Sequence, residues 1–93
     1  MDKIINLVEQ EIAAAFDKAG YDRALAKVTL SNRPDLCEYQ CNGAMAGAKK
    51  YKKAPFMIAE DVLANLTDKT YIGEIEVVKP GFINIKLNED AVA

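Results

Sequence analysis

The sequence predicts an α+β domain: a two-layer sandwich in α-β-β-α-α-β-β order, a four-stranded sheet with its helices on one face. Three observations carry this expectation. Apolar residues recur at helical spacing in three segments. They alternate with polar residues in two pairs of segments. No repeat or low-complexity stretch separates the pairs, and strand pairs set among helices favour stacked layers around one core. The 93 residues suit one domain, residues 1–93, and not two.

Residues 2 to 19 read as the first helix. Asp2 is placed to cap it. Ile5, Val8, Ile12, Phe16 and Ala19 form its apolar stripe, and Gly20 is a suitable residue just past its end. "ALAKVTLS", residues 24 to 31, alternates as a half-buried strand with Ala26, Val28 and Leu30 inward. "NRPD" signals a turn, and "LCEYQ", Leu36 to Gln40, returns as a hairpin strand.

A second helical pattern starts at Cys41, with Ala44, Met45, Ala48 and Tyr51 as its apolar face. Gly43, Ala46 and Gly47 lie on another side, where small residues admit a second backbone or a ligand. Lys49, Lys50 and Lys53 point away from the apolar face, in the turn where cations suit the helix dipole. Lys52 falls near that face, where its stem can snorkel. Pro55 opens a third helix, "PFMIAEDVLANL", with Phe56, Ala59, Leu63 and Leu66 on one side and Ile58 and Val62 beside them. Ala54 is a poor cap for it.

"GEIEVV" and "FINIKL" form the last hairpin. Paired residues share a face, so Val77 should oppose Ile83 and Ile75 should oppose Ile85. That register needs an odd loop, Lys79-Pro80-Gly81, in which Gly81 can supply a positive φ. Val78, Phe82, Asn84 and Lys86 then stand on the sheet face away from the helices.

Composition narrows the function classes. The chain is 51% hydrophobic and 28% charged, as a folded domain is. No apolar run approaches the roughly 20 residues that span a bilayer. "MDKIINLVEQE" lacks the basic and apolar regions of a secretory signal. A cytoplasmic protein is expected. There is no histidine, so the usual general base and the commonest metal ligand are missing. Cys37 and Cys41 lack the spacing of a zinc or redox pair and are expected to be plain small hydrophobes. The net charge of −2 argues against wholesale nucleic-acid binding, while "KKYKK" leaves room for a local basic surface.

"EYQCNGAMAGAKKYKKAPFMIAEDVLANL" and "IEVVKPGFINIKL" together resemble the N-terminal additional domain of bacterial arginyl-tRNA synthetases. Tyr39, Gln40, Asn42, Met45, Ala48, Lys49 and Lys50 match the family's first motif, with Glu38 where Asp is usual. Ala59 and Glu60 match its helix. Pro80, Gly81, Phe82, Ile83 and Asn84 match its last strand, with Lys79 where Gly is common. The resemblance implies a small α+β domain reaching the D-loop at the elbow of arginine tRNA. It points to Phe82 and Asn84 as RNA contacts, with Lys79 at the turn. Beside that, Lys86 on the same face and Lys49, Lys50 and Lys53 at the helix end are candidates to meet phosphates. The resemblance also implies no cofactor in this segment, ATP and Mg2+ being used by the family's catalytic domain, which would be this domain's partner in the same chain. The catalytic H-x-G-H and K-M-S-K-S-like motifs are not in the sequence. A monomeric piece of a longer enzyme, unable to aminoacylate by itself, is therefore expected.

Plainer readings stay open beside this one. Phe82 can cover a sheet edge, since single exposed apolar residues are common. "KKYKK" can be a solvated helix end with Tyr51 in the core. Gln40 and Asn42 can cap the strand-to-helix junction, and Tyr39 can be structural. Two other functions compete: a docking or self-associating surface anchored by Val78 and Phe82, and an enzyme using Glu38, Glu74 or Glu76, none of which has a recognisable partner.

Overall fold

A computed structural model of the chain describes residues 3–31, 37–67, 69–88 and 90. Helix α1 spans Ile4–Lys18 and buries Val8, Ile12, Ala15 and Phe16. The residue at its N-cap is Lys3, which makes no side-chain cap bond. The expected cap, Asp2, lies outside the described residues. The helix ends as expected at Gly20, whose φ is +89°. The Gly20 N–H donates to Asp17 O at 3.0 Å and the Tyr21 N–H to Phe16 O at 2.9 Å, the paired bonds that close a helix through a left-handed residue.

The expected strand at residues 24 to 31 is only half right. Arg23–Leu25 is a 3-10 turn, and strand β1 is confined to Val28–Leu30. The Asp22 carboxylate accepts the Ala24 N–H at 2.9 Å and turns the chain before it can extend. Strand β2 is Tyr39–Cys41, shorter and later than expected. Leu36 is not among the described residues.

Helix α2 runs Gly43–Tyr51 and α3 runs Pro55–Ala64. Both are rotated relative to expectation. In α2 the buried stripe is Gly43, Ala44 and Gly47, while Met45, Ala48 and Tyr51 are half-buried. The reason is a close approach: a Cβ on Gly43 would lie 1.8 Å from the Leu25 carbonyl oxygen. The small residues admit a second backbone, that of the 3-10 turn. In α3, Ile58, Ala59, Val62 and the following Leu66 are buried, and Phe56 and Leu63 lie at the margin. Ala54 is its N-cap without a side-chain bond, and Pro55 sits in the first turn.

Strands β3, Ile72–Val78, and β4, Phe82–Leu87, form the last hairpin. Val77 opposes Ile83 and Ile75 opposes Ile85, around the loop Lys79-Pro80-Gly81. The expected register is observed. The role expected of Gly81 is not, for Gly81 does not take a positive φ. Its missing Cβ is required instead by Pro55, whose atoms would stand 2.6–3.0 Å away. A shift in register at Gly73 places Ile72 on the same face as Ile75.

The sheet is wholly antiparallel in the order β1-β2-β4-β3. One face carries Val28, Tyr39, Cys41, Ile83, Ile85 and Ile72 into a single core with α1 and α3. Two glutamates of α1 tie it to the edge strands. Glu9 accepts the Val28 N–H at 2.9 Å. Glu11 accepts the N–H groups of Thr70, Tyr71 and Ile72 at 2.9–3.3 Å.

These contacts fix two expected stabilities. Gly43→Ala should cost about 3 kcal/mol or more, because the obstacle is backbone. Glu11→Ala should cost about 1–3 kcal/mol by orphaning the amides it receives. Urea unfolding measures both. Midpoints equal to wild type would refute the close approach and the carboxylate clasp respectively.

Candidate nucleic-acid interface

Among the described residues no helix lies over the second sheet face. Alternation along β4 sends Ile83 and Ile85 to the core and leaves Phe82, Asn84 and Lys86 opposite. Register then aligns rows across the sheet. Thr29, Gln40, Asn84 and Glu76 form the central row. Val78 faces Phe82 on one side of it, and Glu74 faces Lys86 on the other. A concavity of about 480 Å³ is lined by Glu74, Glu76, Val78, Asn84 and Lys86, among others.

Phe82 is half-buried, less open than its position in the alternation suggests. Val78 opposite is 37% exposed. Asn84 is also half-buried, and its Oδ1 accepts a hydrogen bond from Gln40 Nε2 at 3.0 Å. Gln40 therefore belongs to the open face and does not cap a helix. The alternation Tyr39 in, Gln40 out, Cys41 in could have revealed this, had the strand been carried on through Cys41. Asn42 does occupy the N-cap position of α2, yet its side chain makes no cap bond. Continuing the β2–β4 register by one residue sets it opposite Phe82.

The expected lysines divide into two groups. Lys86 lies 3.9 Å from Glu74. Lys50 pairs with Asp22 at 2.9 Å, and Lys53 donates to the Tyr21 hydroxyl at 3.1 Å and lies 4.0 Å from Asp61. These three already have partners. Lys49 and Lys79 are exposed with no ion-pair partner among the described residues, and Lys79 Nζ lies 5.7 Å from the centre of the Phe56 ring. Lys52, which the sequence reading left out of the site, is equally exposed. It ends α2 in the left-handed conformation, φ 55°, rather than lying along the apolar face.

Packing of Gly81 on Pro55 brings the hairpin tip against the α2–α3 junction. Lys79 and the end of "KKYKK" thereby share one end of the molecule. No local pattern could show this, because the two segments are far apart in sequence. On the same sheet face, β3 carries Glu74 and Glu76. The tip is basic and β3 is acidic.

Tyr51 is structural. Its ring meets Tyr21 edge-on at 4.9 Å, and its hydroxyl accepts the Asp22 N–H at 2.8 Å. Burial, reinforced by the hydrogen bond to Asp61 at 2.6 Å, raises the Tyr21 pKa. The Ala24 N–H and then the Lys50 ammonium lower that of Asp22. Lys50 is raised by Asp22, and Lys53 by its bond to Tyr21.

Cys37 and Cys41 are buried free thiols. Burial pushes Cys41 up to about 11 from 9.0. The unfolded chain ionises first, so this contribution is whole below pH 9 and is lost as pH rises through 11. Tyr21 acts in the same sense above pH 10. Melting temperature should fall between pH 9 and 11, and Cys41→Ala should flatten that slope while lowering stability at neutral pH. An unchanged slope would remove Cys41 as its source.

Among the described residues no group of His, Cys, Asp and Glu is arranged to hold a metal ion. No described helix is long and apolar enough to cross a membrane.

Comparison with known proteins now bears on this geometry. The family described as Arginyl tRNA synthetase N terminal domain matches residues 2–87. The chain is similar to the arginine–tRNA ligase of Agathobacter rectalis, 59% identical over 95% of this chain and 15% of that protein. It is also similar to that of Alkaliphilus oremlandii, 43% identical over 100% of this chain and 16% of the other. The chain thus spans about one-sixth of the length of these curated relatives. In fold it resembles the arginyl-tRNA synthetase of Plasmodium falciparum, with a TM-score of 0.79 at 24% identity, covering 99% of this chain and 17% of that one. The Thermus thermophilus enzyme gives 0.78 at 24%, covering 97% and 15%. With the family matched across nearly all of its length, this chain belongs to the N-terminal domain family of the arginyl-tRNA synthetases.

Proposed function

We propose that the chain is the tRNA-binding module of an arginine–tRNA ligase, contacting the D-loop at the elbow of arginine tRNA. One observation carries the reading. The open sheet face sets an aromatic ring, Phe82, beside the linked amides of Gln40 and Asn84, and the exposed Lys49, Lys52 and Lys79 have no ion-pair partner among the described residues. RNA loops offer unstacked bases, which proteins read by stacking and by hydrogen bonds to base edges. Phe82 supplies a π-face and the amides supply donor and acceptor.

Charge orients the bound strand. Glu74 and Glu76 repel phosphates from β3, while the lysines at the tip attract them. The backbone then runs past the tip, with the base over β4 and β2. Lys79 and Lys49 are the stronger phosphate contacts of those expected from sequence, because they surrender no ion pair. Lys50, Lys53 and Lys86 would each have to.

In this reading the domain is a monomeric, cytoplasmic module whose further partner is the catalytic domain of the ligase. Arginylation and the use of ATP and Mg2+ belong to that domain, and no chemical step falls to the residues here. A docking role for the open face, anchored by Val78, is the alternative.

Titration of the 15N-labelled chain with arginine tRNA and a non-cognate tRNA at low salt tests the proposal. Shifts should cluster at Lys79, Phe82 and Asn84 and favour the cognate, with a Kd near 10⁻⁴–10⁻⁶ M that weakens with salt. Phe82→Ala should cost about 1–3 kcal/mol of binding with little change in melting temperature. A silent open face, with equal shifts at Lys49 to Lys53 for both RNAs, would leave nonspecific attraction only. Mass rising with concentration and no RNA response would favour docking.

A further inference from the structure

We propose that Gln40 is a positioning residue that sets which base edge Asn84 reads. The inference rests on the open face being the RNA-contacting surface. Asn84 stands between two strands. From β2, Gln40 Nε2 donates to its Oδ1 at 3.0 Å. From β3, the residue opposite is Glu76, whose ionised carboxylate only accepts. A donor on one side and an acceptor on the other favour the same orientation of the planar amide. Oδ1 is held by Gln40, and the Nδ2 proton not turned toward Glu76 is left to donate.

The consequence is chemical selectivity. An amide free to turn over offers either a donor or an acceptor, and so discriminates poorly between base edges. Held by Gln40, Asn84 keeps Oδ1 engaged and turns Nδ2 outward, so it presents chiefly a donor. The partner is then a looped-out base with a ring nitrogen or carbonyl acceptor where Asn84 reaches it. A base presenting a donor there leaves two donors facing each other. Gln40 Oε1 remains to accept from a neighbouring exocyclic amine. Neither Asn84 nor Gln40 alone defines this pattern.

Gln40 sits at the centre of β2, half-buried and on the face away from the core, so its replacement spares the packing. Gln40→Met removes the hold on Asn84. Gln40→Glu places an acceptor-only group there, which draws Nδ2 inward and turns Oδ1 toward the base. Gln40→Thr, a β-branched residue that suits a strand, serves if Met perturbs the fold.

Four RNA hairpins, identical but for one unpaired loop base (A, C, G or U), are titrated into the 15N-labelled chain and its variants. Ratios are taken within each variant, so the added charge of Gln40→Glu cancels. The wild type should separate best from worst base by about 2- to 10-fold, the range of one hydrogen bond. Gln40→Met should compress that ratio toward one with average affinity kept within about 2-fold, and Gln40→Glu should reorder the ranking. In the free protein, the Asn84 side-chain amide resonances should move in Gln40→Met.

If Phe82→Ala weakens binding as expected but the ranking survives in every Gln40 variant, the positioning role is wrong and the RNA face stands. If the open-face resonances ignore all four hairpins and Phe82→Ala changes nothing, the RNA face fails and the role of Gln40 fails with it.

Discussion

Antiparallel pairing of β2 with β4 joins the halves of this molecule. Two hairpins distant in sequence meet there through Tyr39–Ile85, Gln40–Asn84 and Cys41–Ile83. A slip of one residue would send Tyr39 and Cys41 to solvent and Gln40 to the core. Such a slip would strand an amide among apolar side chains and expose a tyrosine ring and a thiol, so the core enforces the register. The same register sets Gln40 against Asn84. The polar pair on the open face is thus held by apolar packing on the other.

Glycines do the second part of the positioning, by absence of a side chain. Gly43 lets α2 close on the Leu25 carbonyl, and Gly81 lets the hairpin tip close on Pro55. Neither has a positive φ. Together they fix the lysine-rich end of α2 and the Lys79 turn to one end of the domain. The acids are distributed with equal consequence. Glu9 and Glu11 are spent on backbone amides of the edge strands, Asp22 and Asp61 on Lys50 and Lys53, and Glu74 on Lys86. A chain of net charge −2 can therefore carry a basic tip.

The sequence by itself determined the order of the three α-helices and four strands, because helical and strand periodicity are local. The register of the last hairpin was legible for the same reason: Ile75, Val77, Ile83 and Ile85 allow one pairing. Alternation along the last strand also placed Phe82 and Asn84 on the open face. Helix rotation was not legible. Small residues in α2 looked like the exposed side of a Met45–Tyr51 stripe, since nothing local says that another backbone passes there. The strand expected at residues 24 to 31 failed where the Asp22 side chain captured the Ala24 amide, a short-range competition that alternation does not register.

Only the tertiary structure decided which lysines are drawn into ion pairs, which amides are linked, and which segments share the basic end. Ion pairs such as Lys50–Asp22 and the contact of Gly81 with Pro55 join residues more than twenty positions apart. Their geometry is set by how three helices stack on one sheet, and no local pattern records it. Periodicity reports which face a residue takes. Packing reports what it meets there, and for Gln40 and Asn84 that meeting is what gives the face its chemistry.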